Sequence, residues 1–220
     1  MSLPLFLWAG LPMKTHDPFV PDLGTYEINL SFSSESRDAT LKQFPIIDAN
    51  YGIAKDVELT LATAYTHFND ENDVDAFEVA IKWLMYEGDM FAIAINPAYF
   101  SFPHSSAYHT GETHEISIPL SFRISPSVMI AMDSVYINPK NEAAHIEFGS
   151  YIRVSHNSHH YFFDLYSDDI SSKRRVPLLI SLGYTYEIDR NYAFLISYGK
   201  EAITQSTKAT FFYSALQLAF

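Results

Sequence analysis

The 220-residue sequence contains no cysteine, and no apolar run in it reaches the roughly 18 residues that a membrane-spanning helix needs. Without cysteine there are no disulfides, thiolate metal sites or cysteine nucleophiles. Basic residues are also scarce, since 14 Lys and Arg stand against 26 Asp and Glu, which gives a formal net charge of -12. Nucleic acid is therefore not expected as a partner, because binding its phosphates requires a basic surface.

Apolar residues nevertheless make up 48% of the chain and aromatic residues 15%, while the mean hydropathy is only -0.03. Strands of a membrane β-barrel produce this balance, because outward apolar and inward polar residues cancel in any average. The aromatic residues then form girdles at the two membrane interfaces. An unusually aromatic core of a soluble protein is the alternative.

The apolar residues recur with a period of two. Tyr26, Ile28, Leu30 and Phe32 alternate with polar residues and therefore share one face of a strand. The same alternation recurs in eleven further segments, which gives twelve predicted strands of about 9–13 residues, the length of a tilted transmembrane strand. These eleven segments are 44–54, 57–68, 76–86, 90–102, 114–124, 128–138, 144–155, 160–168, 176–188, 191–200 and 209–220.

The connections between these segments alternate in length. Tight turns are expected at 55–56, 87–89, 125–127, 156–158 and 189–190, and longer stretches at 34–41, 69–74, 103–113, 139–143, 169–175 and 201–208. Short turns at the periplasmic end and longer loops at the other end are typical of outer-membrane barrels. We therefore predict an all-β fold, an antiparallel transmembrane β-barrel of about 12 strands over residues 24–220, in the outer membrane of a Gram-negative bacterium. Residues 1–23 are expected to be a signal remnant or a periplasmic N-terminal arm.

A soluble barrel or sandwich would also alternate, but it would turn its bulky apolar face inward. Here the polar parity contains small residues such as Gly52, Ala62, Ala92 and Gly149, which suit a lumen. None of the outward positions of the twelve segments is expected to carry Asp, Glu, Lys or Arg, because Arg or Lys facing hydrocarbon at mid-span costs about 2–4 kcal/mol. Both features favour the membrane barrel.

The inward parity supplies candidate lumen-lining residues that would set selectivity. Eight acids oppose three bases, a net of -5 (-8 + 3), which favours cations over anions in an open path. The alternative is that these groups pair and fill a closed structural or ligand-binding barrel, with the segment 11–23 folded inside. The candidates are Glu27, Asp48, Asn50, Glu58, Glu78, Lys82, Glu115, Arg123, Asp133, Glu147, Arg153 and Asp164.

No catalytic residue, metal ligand or cofactor site is predicted. His159 and His160 point to opposite faces of a strand and cannot easily share an ion. Ser150 and Ser167 are expected on the outer wall, but no His shares that face, so a lipid-modifying enzyme is the weaker alternative.

Two prolines fall inside predicted strands. Pro97 and Pro119 remove ladder donors, so each should mark a bulge or a break that bends the barrel wall.

The end of the chain carries apolar residues at every second position back from Phe220. This pattern resembles the C-terminal signal by which outer-membrane barrels are passed to their insertion machinery.

Four stretches resemble the outer-membrane transporter-like β-barrel family associated with the meta-pathway of phenol degradation. They are Thr15-His16-Asp17-Pro18, Gly24-Thr25-Tyr26-Glu27, Asp48-Ala49-Asn50-Tyr51-Gly52 and Ala80-Ile81-Lys82-Trp83. The resemblance implies passive passage of small, hydrophobic or aromatic solutes and brings no catalytic residues.

Overall fold

The fold is taken from a computed structural model, which describes residues 14–36, 40–68, 71–102, 111–140, 143–167, 170, 178–203 and 209–220. Among these residues there is no helix long and apolar enough to cross a membrane.

Within the described residues, thirteen strands form one continuous antiparallel sheet. The alternation of branched, aromatic and small polar residues accounts for them, because each residue type then meets the surroundings that suit it. The strands are β1 (Tyr26–Ser36), β2 (Thr40–Ala54), β3 (Val57–Phe68), β4 (Glu71–Glu87), β5 (Phe91–Phe102), β6 (Gly111–Ser117), β7 (Leu120–Ser125), β8 (Val128–Pro139), β9 (His145–His156), β10 (His159–Ser167), β11 (Leu178–Glu187), β12 (Tyr192–Ile203) and β13 (Thr210–Ala219).

The sheet closes on itself. β1 pairs with β13 from Glu27 opposite Ala219 to Ser36 opposite Thr210. β6 and β7 lie end to end, since both pair with β5 on one side and with β8 on the other. Together they make one wall position, so the predicted antiparallel barrel of twelve strands is confirmed.

The two prolines behave differently. Pro119 lies in the gap between β6 and β7, so the predicted break occurs there. Pro97 stays inside β5, opposite Ile116 of β6. The ladder from β5 to β4 skips Asn96 and Pro97 without a change of register, so Pro97 marks a local break in pairing with β4 and not a bulge. A missing N–H removes a bond to only one neighbour, and the other neighbour keeps the strand in line.

The short turns lie together at one end of the barrel, here called the turn end, at 55–56, 88–90, 126–127, 157–158 and 188–191. Asp56 and Asn157 adopt the positive φ angles of 63° and 52° that such turns require. At the opposite, loop end, β2 and β4 begin at Thr40 and Glu71, earlier than the predicted residues 44 and 76. Ladder pairing therefore continues beyond the length that the hydrophobic pattern marks.

The outer wall is apolar. Exposed side chains include Leu61, Ile81 and Ile152, while inward neighbours such as Glu58 and Ala80 are buried. Many large apolar side chains facing outward exclude the soluble alternative, which would bury them. The barrel therefore presents its apolar belt to lipid, as outer-membrane barrels do.

Among the described outward positions of the predicted strands, one charge departs from the expected pattern. Lys200 is exposed on the same parity as Tyr198, three residues before the loop end of β12. Its long aliphatic side chain lets an ammonium group reach the interface from such a position. The absence of outward charge therefore holds for the middle of the wall and not for this strand end.

Candidate functional site

Residues 14–23 lie inside the barrel and are called the inner segment here. Its path begins at the turn end, where Thr25 N donates to Asp22 O over 3.0 Å and Gly24 N donates to Gly52 O over 2.9 Å. Gly24 has a φ of 83°, a conformation that side chains disfavour, and this lets the chain turn inward from the start of β1. Residues 1–13 lie outside the described residues, so a signal remnant there stays a prediction.

Phe19 is the apolar anchor of the inner segment. Its side chain is 2% exposed and packs in one cluster with side chains from β4, β5, β8, β9 and β10. Phe19 therefore belongs to an apolar cluster that extends across neighbouring strands on one side of the lumen. The cluster partners are Leu84, Ala92, Met129, Ala131, Tyr151 and Phe162.

Three polar contacts fasten the same segment at other points of the wall. Thr15 Oγ1 donates to Asp164 Oδ1 of β10 over 2.5 Å. Lys82 Nζ of β4 donates to the carbonyl oxygen of Phe19 over 3.1 Å. His16 Nδ1 forms an ion pair with Asp133 Oδ2 of β8 over 3.1 Å. A short segment is therefore held by side-chain bonds to opposite sides of the lumen.

Two inward glycines make room for the inner segment. A Cβ at Gly52 would overlap the carbonyl oxygen of Asp22, and a Cβ at Gly149 would overlap Oγ1 of Thr15. A glycine inside a strand often marks the close approach of another backbone, and both positions fit that rule.

A hydrogen-bonded polar cluster lies beside the segment on β2, β3 and β4. Lys82 Nζ is 3.4 Å from Glu58 Oε1. Thr60 Oγ1 lies 2.7 Å from Asn50 Oδ1 and 2.9 Å from Glu58 Oε1, and its single proton serves one of the two at a time. Asn50 Nδ2 donates to Asp48 Oδ1 over 2.7 Å. This side of the lumen is filled by paired groups.

Above the inner segment, toward the loop end, the lumen contains a cavity of about 350 Å³. Lys14 and His16 form part of its floor. Its wall carries three carboxylates, two polar side chains and two aromatic rings, namely Glu78, Glu115, Glu147, Asn96, Ser117, Phe100 and Tyr166. Glu147 accepts a hydrogen bond from Tyr166. The cavity is therefore lined mainly by acceptors.

The inner segment carries two titratable groups with shifted pKa values. Partial desolvation inside the lumen lowers the pKa of His16, but the hydrogen bond and the negative charge of Asp133 outweigh it, and the pKa rises from 6.5 to about 9. Burial raises the pKa of Asp17, against the opposing charges of Lys82 and Arg153. At neutral pH His16 is thus a cation inside a largely acidic lumen.

The predicted lumen-lining residues divide into four groups. Glu58, Lys82, Asp133 and Asp164 are buried against the inner segment or its polar cluster. Glu78, Glu115 and Glu147 line the cavity. Arg123 lies at the rim of the turn end, where Nη1 is 3.4 Å from the carbonyl oxygen of Asp89. The remaining positions are Glu27, Asp48, Asn50 and Arg153, which are buried or half-buried.

The histidine pair behaves as the strand geometry predicts. His159 stacks on Tyr184 and Tyr186, whereas His160 bonds to Ser155 and Glu187. In the part of the chain that the structure describes, no three potential ligands converge on a metal position. Two further histidines, His104 and His109, lie outside the described residues.

The bonds of His160 form a chain that the sequence did not reveal. Its Nδ1 is 2.8 Å from Ser155 Oγ and its Nε2 is 2.9 Å from Glu187 Oε1. These are the residue types of a nucleophile, a base and an acid. However, the backbone N–H groups of Ser155 and Glu187 already donate to Ser127 O and Ser158 O, so neither stabilises an oxyanion. The chain instead cross-links β9, β10 and β11 at the turn end.

The expected serines give no catalytic site on the outer wall. Ser150 is half-buried, Ser167 is buried, and Oγ of Ser167 has no hydrogen-bond partner among the described residues. A lipid-modifying enzyme would require a Ser–His pair facing the bilayer there.

Sequence reasoning missed several cavity residues. Lys14 and His16 precede the first strand, where no alternation assigns a face. Asn96, Ser117 and Tyr166 lie on the inward parity, but they carry no charge and did not stand out. Parity alone could have placed the last three in the lumen.

Comparisons with known proteins agree on the fold. No family model matches the chain, and no curated protein matches it. Among solved structures, the chain is similar to the KdgM porin, with a TM-score of 0.66 at 10% identity over 87% of this chain and 99% of that one. It is also similar to an outer-membrane channel from Pseudomonas putida F1, with a TM-score of 0.65 at 7% identity over 93% of this chain and 98% of that one.

A third similar structure is the NanC porin, with a TM-score of 0.63 at 10% identity over 87% of this chain and 98% of that one. At such low identity these matches establish the fold alone, that of bacterial outer-membrane porins and channels. No family model supports the specific phenol-degradation family that the sequence motifs resemble.

Proposed function

We propose that this protein is an outer-membrane channel for small solutes whose lumen is closed by residues 14–23 and opens when that segment moves. The observation that carries the proposal is the attachment of the inner segment. It joins the wall through one aromatic anchor and a few side-chain bonds, without strand pairing along its length. Local contacts of this kind open at a lower cost than the ladders of the wall.

The cavity at the loop end supports a role in solute passage. It lies on the expected path from outside the cell and ends on the inner segment, so a solute that enters there reaches the closure directly. A porin of this fold, KdgM, has been solved with disordered oligogalacturonate, which is consistent with small solutes as the cargo of such barrels.

The charge of the lining favours cationic over anionic solutes. Glu78, Glu115 and Glu147 face the cavity, and carboxylate rings of this kind attract cations. The family resemblance implies hydrophobic or aromatic solutes, and Phe100 and Tyr166 offer aromatic surface for them. We propose that a solute passes best when it joins a small apolar or aromatic body to a positive charge.

Planar bilayers test the proposal. The wild-type protein should show low, intermittent conductance, and its reversal potential in a salt gradient should indicate selectivity for cations. The double variant Glu115→Gln/Glu147→Gln should reduce that selectivity. Glu87→Gln is the matched control, because it removes an exposed carboxylate at the turn end of β4, outside the cavity. Absence of conductance and of solute uptake into liposomes, both for the wild type and for a variant with a released segment, would overturn the channel.

The closed structural or ligand-binding barrel is the second candidate. The buried Phe19 and the paired groups around Lys82 favour it, because they fill the turn-end half of the lumen. The same bilayer experiment separates the two candidates: a closed barrel stays silent even when the inner segment is weakened.

A further inference from the structure

Two lysines lie on the outer wall at the loop end, on either side of the seam where β1 pairs with β13. Lys200 of β12 shares the outward parity of Tyr198. Lys42 of β2 lies before the predicted start of that strand, opposite Ser34 of β1, which shares the outward parity of Leu30. Because cross-strand partners project from the same face of a sheet, Lys42 also faces outward.

Neither lysine is neutralised by the described part of the protein. Both are exposed, and neither side chain makes an ion pair or a hydrogen bond with any described residue. Lys140, another lysine at the loop end, is paired, because its Nζ lies 3.3 Å from Glu112 Oε2. A charge beside hydrocarbon is costly unless it reaches water or an anion. The two ammonium groups are therefore available to an anion at the membrane surface.

A band of aromatic rings crosses the wall just below the two lysines. The ring centroid of Phe32 in β1 lies 6.3 Å from that of Phe44 in β2 and 6.0 Å from that of Phe212 in β13. Tyr198 of β12 lies opposite Phe212 and continues the band. Each lysine is two residues closer to the loop end than the aromatic residue of the band on its own strand. The surface thus joins an apolar face for acyl chains to a basic edge at the level of the headgroups.

The basic edge is wide enough for two separate anionic groups. The strands β2, β1, β13 and β12 are consecutive neighbours in the sheet. Three strand spacings therefore separate the strands of the two lysines, a distance of about 14 Å across the wall. Hydroxyl groups lie between them, since Thr210 of β13 is opposite Lys200 and Ser36 of β1 is opposite Thr210. A hydroxyl can donate a hydrogen bond to a phosphate oxygen.

Lys200 lies at the height of the outer headgroups. It is eight positions (200 − 192) beyond Tyr192, the first residue of β12 at the turn end. Eight residues of a strand tilted by about 40° rise about 20 Å along the membrane normal. The apolar band of an outer-membrane barrel is about 25 Å tall, so the long side chain brings the ammonium group to its edge.

We propose that this surface binds the lipid A anchor of lipopolysaccharide, with Lys42 and Lys200 each facing a phosphate group and the aromatic band against the acyl chains. Lipopolysaccharide forms the outer leaflet of this membrane, at the loop end, and lipid A carries a phosphate group at each end of a glucosamine disaccharide. A phospholipid has one phosphate and would satisfy only one of the two lysines. Basic side chains at a membrane surface recognise anionic lipids in this way. Because it lies on the outer wall, the site is independent of the lumen and of solute passage.

Native mass spectrometry of the full chain, refolded in detergent micelles, tests the site with diphosphorylated lipid A as the probe. The wild type should bind it more tightly than the same lipid after removal of both phosphate groups. Lys42→Gln/Lys200→Gln should weaken binding roughly 30-fold, which corresponds to about 1 kcal/mol for each lysine at the interface. Lys42→Arg/Lys200→Arg should retain binding, because a guanidinium group also binds phosphate.

Lys55→Gln/Arg190→Gln is the matched control. It also removes two exposed positive charges, but from turns at the opposite end of the barrel, and should leave the affinity unchanged. The site would be overturned by equal binding of lipid A to the wild type and to Lys42→Gln/Lys200→Gln, by an equal loss in the control, or by equal binding of the dephosphorylated lipid. The heat-modifiable migration of each variant in electrophoresis verifies that the barrel has formed. A barrel that binds lipid A but shows no conductance would still support the site.

Discussion

Nδ1 of His16 lies 3.1 Å from Oδ2 of Asp133, and this ion pair joins the inner segment to β8. Asp133 is buried and also accepts a hydrogen bond from Ser117 of β6 over 2.7 Å. Half of the His16 side chain, 49% of its surface, remains exposed, and His16 lines the cavity. The pair therefore combines a carboxylate fixed by the wall with an imidazole that protons and solutes can reach.

The first prediction concerns alkaline pH. The pKa of His16 is raised from 6.5 to about 9, so its ion pair stabilises the closed lumen fully below pH 6.5, as long as Asp133 stays ionised, and the stabilisation disappears as the pH rises through 9. Conductance in planar bilayers should therefore increase between pH 7 and pH 10. His16→Asn should remove this step, because its amide can donate to Asp133 without titrating. An identical rise in both proteins would assign the effect to another group.

The second prediction concerns the aromatic anchor of the inner segment. Phe19→Ala should weaken the docking of the segment by about 3–5 kcal/mol, since it empties a fully packed site, and should raise conductance and solute uptake. Leu23→Ala is the control, because Leu23 belongs to the same segment but is 65% exposed and should change docking by less than about 0.5 kcal/mol. Equal conductance for the two variants would mean that Phe19 does not hold the lumen closed.

The third prediction uses the contact between Gly52 and the inner segment. Gly52→Ala places a methyl group against the carbonyl oxygen of Asp22, at a cost of about 1–3 kcal/mol, and should displace the segment. Gly199→Ala provides the comparison, since its Cβ would lie 2.9 Å from Ser181 Oγ within the wall. Both variants should unfold at lower urea concentration, but only Gly52→Ala should increase conductance. A conductance increase in both would point to general loosening of the barrel.

The fourth prediction tests the orientation of the wall toward lipid. Ile152 is 42% exposed near the middle of β9, so Ile152→Arg should destabilise the barrel in vesicles by about 2–4 kcal/mol. Tyr192 is exposed on the same wall but begins β12 at the turn end, so Tyr192→Arg should cost only about 0–1 kcal/mol. The measurement is reversible urea unfolding followed by tryptophan fluorescence. A similar small cost at both positions would contradict a lipid-facing middle for β9.

The strands could be predicted because each one contains its own alternation of apolar and polar residues. Tyr26, Ile28 and Leu30 are exposed and Glu27 and Asn29 are buried, as the alternation indicates. The side chains of a strand between hydrocarbon and a lumen have only two environments. The parity of the apolar residues therefore determines which side chains face the lipid and which face the lumen. The break at Pro119 was predictable for a similar local reason, since a proline cannot donate to the ladder.

The inner segment was harder to predict, because residues 14–23 have no periodicity that distinguishes a lumen from the periplasm. Its position depends on contacts with residues that lie far away in sequence, such as Thr15 with Asp164 and Phe19 with Phe162. The inward glycines Gly52 and Gly149 were visible as small residues. Only the structure reveals the backbone and side-chain atoms that occupy the space beside them.

By itself, the sequence determined that this chain forms a closed wall with an apolar exterior. Alternation along a strand is a local property, because it can be recognised from neighbouring residues alone. Only the tertiary structure decided what that wall encloses: a segment that fills the turn end, and an acceptor-lined cavity at the loop end. The charges of Glu78, Glu115 and Asp133 were readable from the sequence. Which of them is paired and which is left open depends on distances across the lumen, and these arise only when the sheet closes.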